Sequence, residues 1–464
     1  MSKFDYDITI IGSGPGGYVA AIRAAQLNKN VLVVEKSELG GICLNWGCIP
    51  TKALLRSSEI LTHAKNGKLY GLEGNNNFSL EEMVKRSRKV SNKLSSGIEF
   101  LFKKNSITLK KGTAYIKEKH LIEITNDNNN EQIKTDKIII ATGASPRVLP
   151  FFKNLKNDVW DYKKALLPDS LPNKLGIVGS GAIGLEFASF FNSLGTKVEV
   201  FELQDKIAPN EDHDISKELE KNMSNKGIIF HKKTDVVKLV KNKEYELTGL
   251  NNSENKTFSF DRVLVAVGVV GNIENLGIEN TKIKVKNNQI ITHDYNKTDE
   301  PNIFAIGDVA GLPWLAHKAS HEGIVCVEYM FDNKKIKKYH NNTLIPSCIY
   351  TNPQVASIGI TENKAKALKK NIRIGVFPLS ANGKALALGE PEGFIKTIFD
   401  NETGEILGAH MIGAEVTELI NTFSLAIKLE ATEEDIINTV FPHPTLSESI
   451  HESVLNAFDK AIHI

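Results

Sequence analysis

The feature that most constrains this chain is a repeat inside it. The segments DITIIGSGPGGYVAAIRAAQLNKNVLVVE and LGIVGSGAIGLEFASFFNSLGTKVEVFE each read as an apolar strand, a glycine-rich turn, a helix and a second strand. Gly12, Gly14 and Gly17 fill G-x-G-x-x-G in the first copy, and Gly179, Gly181 and Gly184 fill it in the second. Glu35 stands 23 positions after Gly12, and Glu202 stands 23 positions after Gly179. Glycines so spaced allow a tight turn and close approach of backbone to a pyrophosphate, whose charge then rests at a helix N-terminus. The distant acid meets a ribose hydroxyl. One such turn can be an ordinary strand-to-helix connection, but two copies with matched acids point to two dinucleotide sites. Two sites suggest two different cofactors, one a tightly held flavin and the other a hydride carrier that must leave.

The remaining glycine-rich segments fit that division. KIIIATGASPR and VLVAVG are strand-like and are each expected to close one of the two sheets. NIFAIGDVAG carries Asp308 at a strand end, where a carboxylate can bind a polyol chain or simply shape a turn.

A length of 464 residues, 41% hydrophobic and 24% charged, is too much chain for one core and implies two to four domains. A net charge of +2, from 57 basic and 55 acidic side chains, offers no field for nucleic acid or an anionic membrane. No apolar stretch nears the roughly 20 residues that cross a bilayer. Seven residues precede the first apolar run, Ile8 to Ile11, which leaves no room for a leader; the expectation is a cytoplasmic protein.

There are four cysteines, too few for a disulfide-stapled secreted scaffold. Cys326 and Cys348 sit in helix-like and strand-like contexts and read as small buried residues. Cys43 and Cys48, in GGICLNWGCIPTKALLRSSEI, are five residues apart with no second cysteine pair and no nearby histidine. Metal binding is disfavoured by that pattern, and a redox pair is favoured. Pro50 marks the first turn of a helix, so Cys48 lies at its positive end with Lys52 close by, both of which favour a thiolate. Far downstream, His443 is followed five residues later by Glu448, a spacing that allows a base with its orienting carboxylate.

The redox segment, the second fingerprint with Gly184-Leu185-Glu186, the Asp308 segment with LAHKASHEG, and TVFPHPTLSESIHE together resemble the pyridine nucleotide-disulfide oxidoreductases, and within them the dihydrolipoyl dehydrogenase family. The resemblance runs from Tyr6 almost to Ile464. It implies an α/β fold with two Rossmann-like dinucleotide-binding domains plus a C-terminal α+β dimerisation domain. The implied order is an FAD domain over 1–146, an NAD domain over 147–271, a central domain over 272–344 and an interface domain over 345–464.

On the same resemblance, Gly12, Gly14, Gly17, Glu35, Lys52, Gly143, Asp308 and Ala316 serve a tightly but non-covalently bound FAD. Gly179, Gly181, Gly184, Glu186, Glu202 and Gly268 serve NAD. His443, with Glu448, becomes the base supplied by the other subunit of a homodimer, and His443-Pro444 a cis peptide. Cys43 meets the substrate dithiol, Cys48 faces the flavin, and Lys52 pairs with Glu186. The implied partner is a lipoyl-bearing acyltransferase or glycine cleavage carrier protein, with neither nucleic acid nor membrane involved.

Glu202 favours NAD over NADP, because a carboxylate repels a 2′-phosphate; ELQDKIAP also lacks the paired arginines of NADP-specific relatives such as glutathione reductase. Val269 and Gly271 depart from the pattern, standing where many relatives carry Arg and Pro. Mercuric reductases and large thioredoxin reductases need a further redox group near the C-terminus, and no cysteine follows Cys348. Soluble transhydrogenases lack the cysteine pair. Glutathione reductase is the alternative within the fold, and a binding or scaffold subunit with an inert disulfide is the alternative outside catalysis.

Overall fold

The computed structural model describes residues 3–74, 77–126, 129–155, 158–332 and 344–464. The last part of the expected central domain, 333–343, lies outside the described residues. The chain forms two compact units. One comprises Met1–Ala53, Glu81–Arg147 and Gly268–His340; the other comprises Leu54–Leu80, Val148–Val267 and Asn341–Ile464.

The first unit is built on a parallel sheet whose order in space is Thr108–Lys111, Val31–Glu35, Tyr6–Ile11, Asn130–Ile140 and Ile303–Ala305. The inner strands read as unbroken β-branched and leucine runs because both of their faces are covered; Val31 to Glu35 are all buried. Asn130–Ile140 does two jobs. Its first half pairs antiparallel with Leu121–Thr125 and its second half parallel with Tyr6–Ile11. It was expected to close the sheet, but Ile303–Ala305 adds beyond it. That return comes from more than 160 positions downstream, which local pattern cannot announce. The helix Pro15–Gln26 packs against Ala316–Phe331, and Gly323 permits the approach, since a Cβ there would meet the Gly16 carbonyl oxygen at 2.7 Å.

The second unit repeats that plan. Its parallel sheet runs Ile229–His231, Lys197–Phe201, Lys174–Val178 and Arg262–Val265. A three-stranded antiparallel meander, Asp235–Lys241, Tyr245–Asn251 and Glu254–Phe260, precedes the last of these strands. In the first unit Thr113–Glu118, Leu121–Thr125 and the first half of Asn130–Ile140 form the matching antiparallel meander, so the repeat extends past the strand-turn-helix-strand of the fingerprint to the meander and the fourth strand. The rest of this unit is a five-stranded antiparallel sheet, ordered Ser347–Ile349, Gln354–Gly359, Ile406–Gly413, Phe394–Asp400 and Ile372–Pro378. Val416–Lys428 and Glu448–Ala457 cover it, burying Val416, Ile420, Phe423, Ile450 and Val454 in one apolar cluster.

Among the described residues no helix is long and apolar enough to cross a membrane. Cys326 is buried in its helix, and burial pushes its thiol well above the ordinary range. Cys348, expected to be buried, is only half-buried.

Candidate functional site

The two glycine turns have the same geometry, and each glycine has a separate reason. Gly12 and Gly179 turn the chain at φ +102° and +101°, with their missing side chains facing the Ala141 and Ala266 carbonyl oxygens at 2.4 Å. Gly17 and Gly184 let helix meet strand, because a Cβ would stand 2.0 Å from the Gly12 oxygen and 2.1 Å from the Gly179 oxygen. Gly14 and Gly181 differ. Their φ values, −63° and −73°, suit any residue, and a Cβ there would meet nothing within 4 Å. The space in front of them lies at the start of a helix whose first turn holds no acid, a cradle that fits a pyrophosphate.

The matched acids are held alike. Glu35 Oε2 accepts from the Ser13 amide at 2.8 Å and the Ser13 hydroxyl at 2.6 Å, and its Oε1 accepts from the Ser37 amide at 2.8 Å. Glu202 Oε2 accepts from the Ser180 amide at 3.0 Å and hydroxyl at 2.6 Å, and Oε1 from the Gln204 amide at 2.8 Å. Both carboxylates thus lie beside their own glycine turn with lone pairs left over. Ser13 and Ser180 were not singled out from the sequence, although the same serine fills G-S-G in both copies.

Cys43 and Cys48 form a disulfide with Cα atoms 4.7 Å apart. Cys43 lies in the six-residue helix Gly41–Trp46, and Cys48 is the first residue of the 18-residue helix Cys48–Lys65. Lys52 follows one turn later on the same face. Buried Asn45 ties this segment together, its Nδ2 donating to the Leu39 and Gly41 carbonyls at 2.8 and 3.0 Å.

Asp308 falls in the turn Gly307–Ala310 directly after Ile303–Ala305. Burial raises its carboxyl above the ordinary range; Lys318 opposes the rise and Glu322 adds to it. Ala316 opens the helix that carries both, and Lys318 and Glu322 are paired at 2.8 Å. Gly143 and Gly268, at φ +70° and +94°, flank the antiparallel pair of Ala144–Pro146 with Val269–Gly271. Gly268, expected with the NAD residues, therefore lies in the same unit as Gly143, whereas Gly179, Gly181, Gly184 and Glu202 lie in the other. Gly271 has a local reason: a Cβ there would stand 2.3 Å from the Asn288 oxygen.

Glu186 is buried and accepts from the Tyr350 amide at 3.0 Å. It and Lys52 belong to different units. His443, mostly exposed, precedes a cis proline and places Nδ1 2.8 Å from Glu448 Oε1. Although desolvation works to raise it, the Thr445 amide and the His443 ring hold the Glu448 carboxyl below its ordinary range. With Nδ1 facing a carboxylate, Nε2 is left to take a proton.

Residues 6–323 match the Pyridine nucleotide-disulphide oxidoreductase family, and residues 345–454 match its dimerisation domain. The chain belongs to the pyridine nucleotide-disulphide oxidoreductases. This oxidoreductase is 47% identical to a dihydrolipoyl dehydrogenase of Rhizobium etli, with 98% of this chain and 99% of that one covered. It is 44% identical to a dihydrolipoyl dehydrogenase of Zymomonas mobilis, with 99% of each chain covered. Among solved structures, LpdA from Mycobacterium tuberculosis superimposes with a TM-score of 0.90 at 25% identity, over 96% of this chain and 98% of that one. The HOCl-induced flavoprotein disulfide reductase RclA from Escherichia coli, as its Cu(II) complex, superimposes at 0.88 and 26% identity, over 98% and 99%. The open turns at Gly14 and Gly181 and the disulfide at a helix start are what an oxidoreductase of this family needs from its chain.

Proposed function

We propose that this oxidoreductase is a dihydrolipoyl dehydrogenase, oxidising protein-bound dihydrolipoamide to lipoamide with reduction of NAD⁺. The observation that carries the reading is the Cys43–Cys48 disulfide, with Cys48 as the first residue of a long helix. That position gives the two sulfurs different tasks. The N-terminal field of the helix stabilises a thiolate at Cys48, which makes it the better leaving group, so an incoming thiolate attacks Cys43.

His443 takes the proton from one thiol of the substrate, with Glu448 orienting the ring and stabilising the imidazolium. The resulting thiolate attacks Cys43 Sγ, the Cys43–Cys48 bond breaks, and Cys48 leaves as a thiolate. His443 releases that proton to solvent and takes the one from the second substrate thiol, whose thiolate displaces Cys43 as a thiolate and closes the lipoamide ring. Two electrons now rest on the Cys43/Cys48 pair. FAD, when bound, supplies the two-electron relay from this pair to NAD⁺.

Gly12, Gly14, Gly17 and Glu35, with Gly143, Asp308 and Ala316, hold the FAD. Gly179, Gly181, Gly184 and Glu202 hold NAD. Lys52 serves the flavin side of the relay and Glu186 the NAD side. The working division is 1–146, 147–271, 272–344 and 345–464. The chain acts as a homodimer in the cytoplasm, His443 serving the cysteines of the other subunit. Its partner is a lipoyl-bearing acyltransferase of a 2-oxoacid dehydrogenase complex or a glycine cleavage carrier protein.

The test is one steady-state assay of the holoenzyme with dihydrolipoamide and NAD⁺, and with glutathione disulfide and NADPH. Turnover with the first pair alone is expected. Preference for the second would make the chain a glutathione reductase, and no turnover by an FAD-loaded protein would make it a binding subunit.

A further inference from the structure

Cys43 sits on a helix too short to hold itself. Isolated helices of fewer than about 12 residues are marginal in water, and Gly41–Trp46 has six. In the disulfide state a covalent bond fastens it to Cys48. In the dithiol state that bond is gone, and within the reach that the four linking residues allow, packing and hydrogen bonds decide how often Cys43 stands near its partner.

Part of that hold comes from the 25-residue helix Leu80–Lys104, which is anchored by buried Ile98 and Phe102. Ser95 Oγ reaches the Leu39 carbonyl at 2.9 Å and Asn45 Oδ1 at 3.0 Å. Two turns earlier on the same face, the Arg88 guanidinium donates through Nη1 to the Asn45 carbonyl. That carbonyl is among the last four of the short helix, which have no partner within it. The Arg88 guanidinium carbon also lies 4.6 Å from the centre of the Trp46 ring. One planar cation therefore caps the C-terminal end of the Cys43 helix and covers its last side chain, immediately before Gly47 and Cys48.

We propose that Arg88 is a positioning residue for disulfide exchange: it holds the Cys43 helix against Cys48 while both sulfurs are reduced. This deepens the proposed function and rests on its redox reading of Cys43 and Cys48. The consequence is thermodynamic. Closing the disulfide joins two thiols and passes two electrons and two protons to an oxidant, and its equilibrium depends on how often Cys43 stands near Cys48. Without Arg88 the dithiol gains freedom that the disulfide does not, so the pair becomes easier to reduce.

The experiment is a redox titration of the FAD-loaded protein in buffers of reduced and oxidised dithiothreitol, with the two cysteines read by alkylation and mass. It needs no turnover, so it stands apart from the assay for dihydrolipoamide. Arg88→Ala is expected to shift the dithiothreitol ratio at half-reduction by about tenfold towards easier reduction, a rise of about 30 mV. The melting temperature of the oxidised protein should change little, because the disulfide still holds the helix there. Arg88→Gln, which keeps a donor for Asn45 but no cation for Trp46, should shift the ratio the same way by about threefold. An unshifted ratio in Arg88→Ala overturns the proposal; if that variant does not fold, an unshifted ratio in Arg88→Gln overturns it. A disulfide that no dithiothreitol ratio opens in the wild type would overturn the redox reading itself, and Arg88's role with it.

Discussion

Ser180 gives both its amide and its hydroxyl to a single oxygen of Glu202, at 3.0 and 2.6 Å, and so holds that carboxylate beside the second glycine turn. A fixed carboxylate there accepts a ribose hydroxyl and repels a 2′-phosphate. Glu202→Ala is expected to weaken NAD use and relieve the bar against NADP, and Ser180→Ala to raise KM for NAD about 2- to 10-fold while keeping the preference. The ratio of kcat/KM for the two cofactors is the measurement; an unchanged ratio in Glu202→Ala would remove the specificity argument.

If the Cys48 thiolate, favoured by its place at a helix start, faces the flavin, the holoenzyme should gain a long-wavelength charge-transfer band on two-electron reduction. Cys48→Ser should abolish the band under anaerobic titration. A band that survived would reverse the roles of the two cysteines.

His443 and Glu448 are adjacent to each other within one unit, whereas Cys43 and Cys48 belong to the other. If the base serves the opposite subunit, Cys48→Ser and His443→Gln homodimers should each be inactive. A mixed dimer then has one intact site and should recover about half the wild-type rate per dimer, well clear of backgrounds lowered about 10² to 10⁴-fold by loss of a general base. Recovery is measured after co-refolding with FAD; confirmed subunit exchange without recovery would place the site within one chain.

Lys396 is 1% exposed and pairs with Asp212 at 2.9 Å, Asp214 at 2.6 Å and Glu362 at 2.6 Å. Burial alone would lower its pKa, but the three carboxylates raise it. Lys396→Met leaves these acids without their cation and should cost about 3–5 kcal/mol in denaturant unfolding. A loss below about 1 kcal/mol would show that the acids are rehydrated in the variant.

Glu211 is buried, and its Oε2 has no hydrogen-bond partner among the described residues. Burial raises its carboxyl above the ordinary range, against the hydrogen bond from Ser357 and the charge of Lys206. A folded pKa above the unfolded value, about 4.3, means the stability contribution is fully present below that pH and is lost as pH rises through the folded pKa. Glu211→Gln should therefore raise the melting temperature at about pH 8 by the equivalent of about 1–3 kcal/mol and leave it unchanged near pH 4. Equal effects at both pH values would exclude titration of Glu211 as the cause.

What the sequence determined by itself is whatever rests on short spacing. Gly12, Gly14, Gly17 and Glu35, their counterparts from Gly179 to Glu202, Cys43 with Cys48, and His443 with Glu448 each lie in one stretch of chain. Helix and strand periods place such residues relative to one another before any tertiary contact forms, and the paired matches left little room for chance. Tertiary structure alone decided where distant segments return. Ile303–Ala305 extends the first sheet beyond the strand expected to end it. Asp212, Glu362 and Lys396 converge on one buried ion cluster, and Arg88 reaches back to Asn45. A charge on a helix or strand reads locally as a solvated side chain. Only the packing that removes water from Lys396, and brings a carbonyl to Arg88, gives those charges a partner.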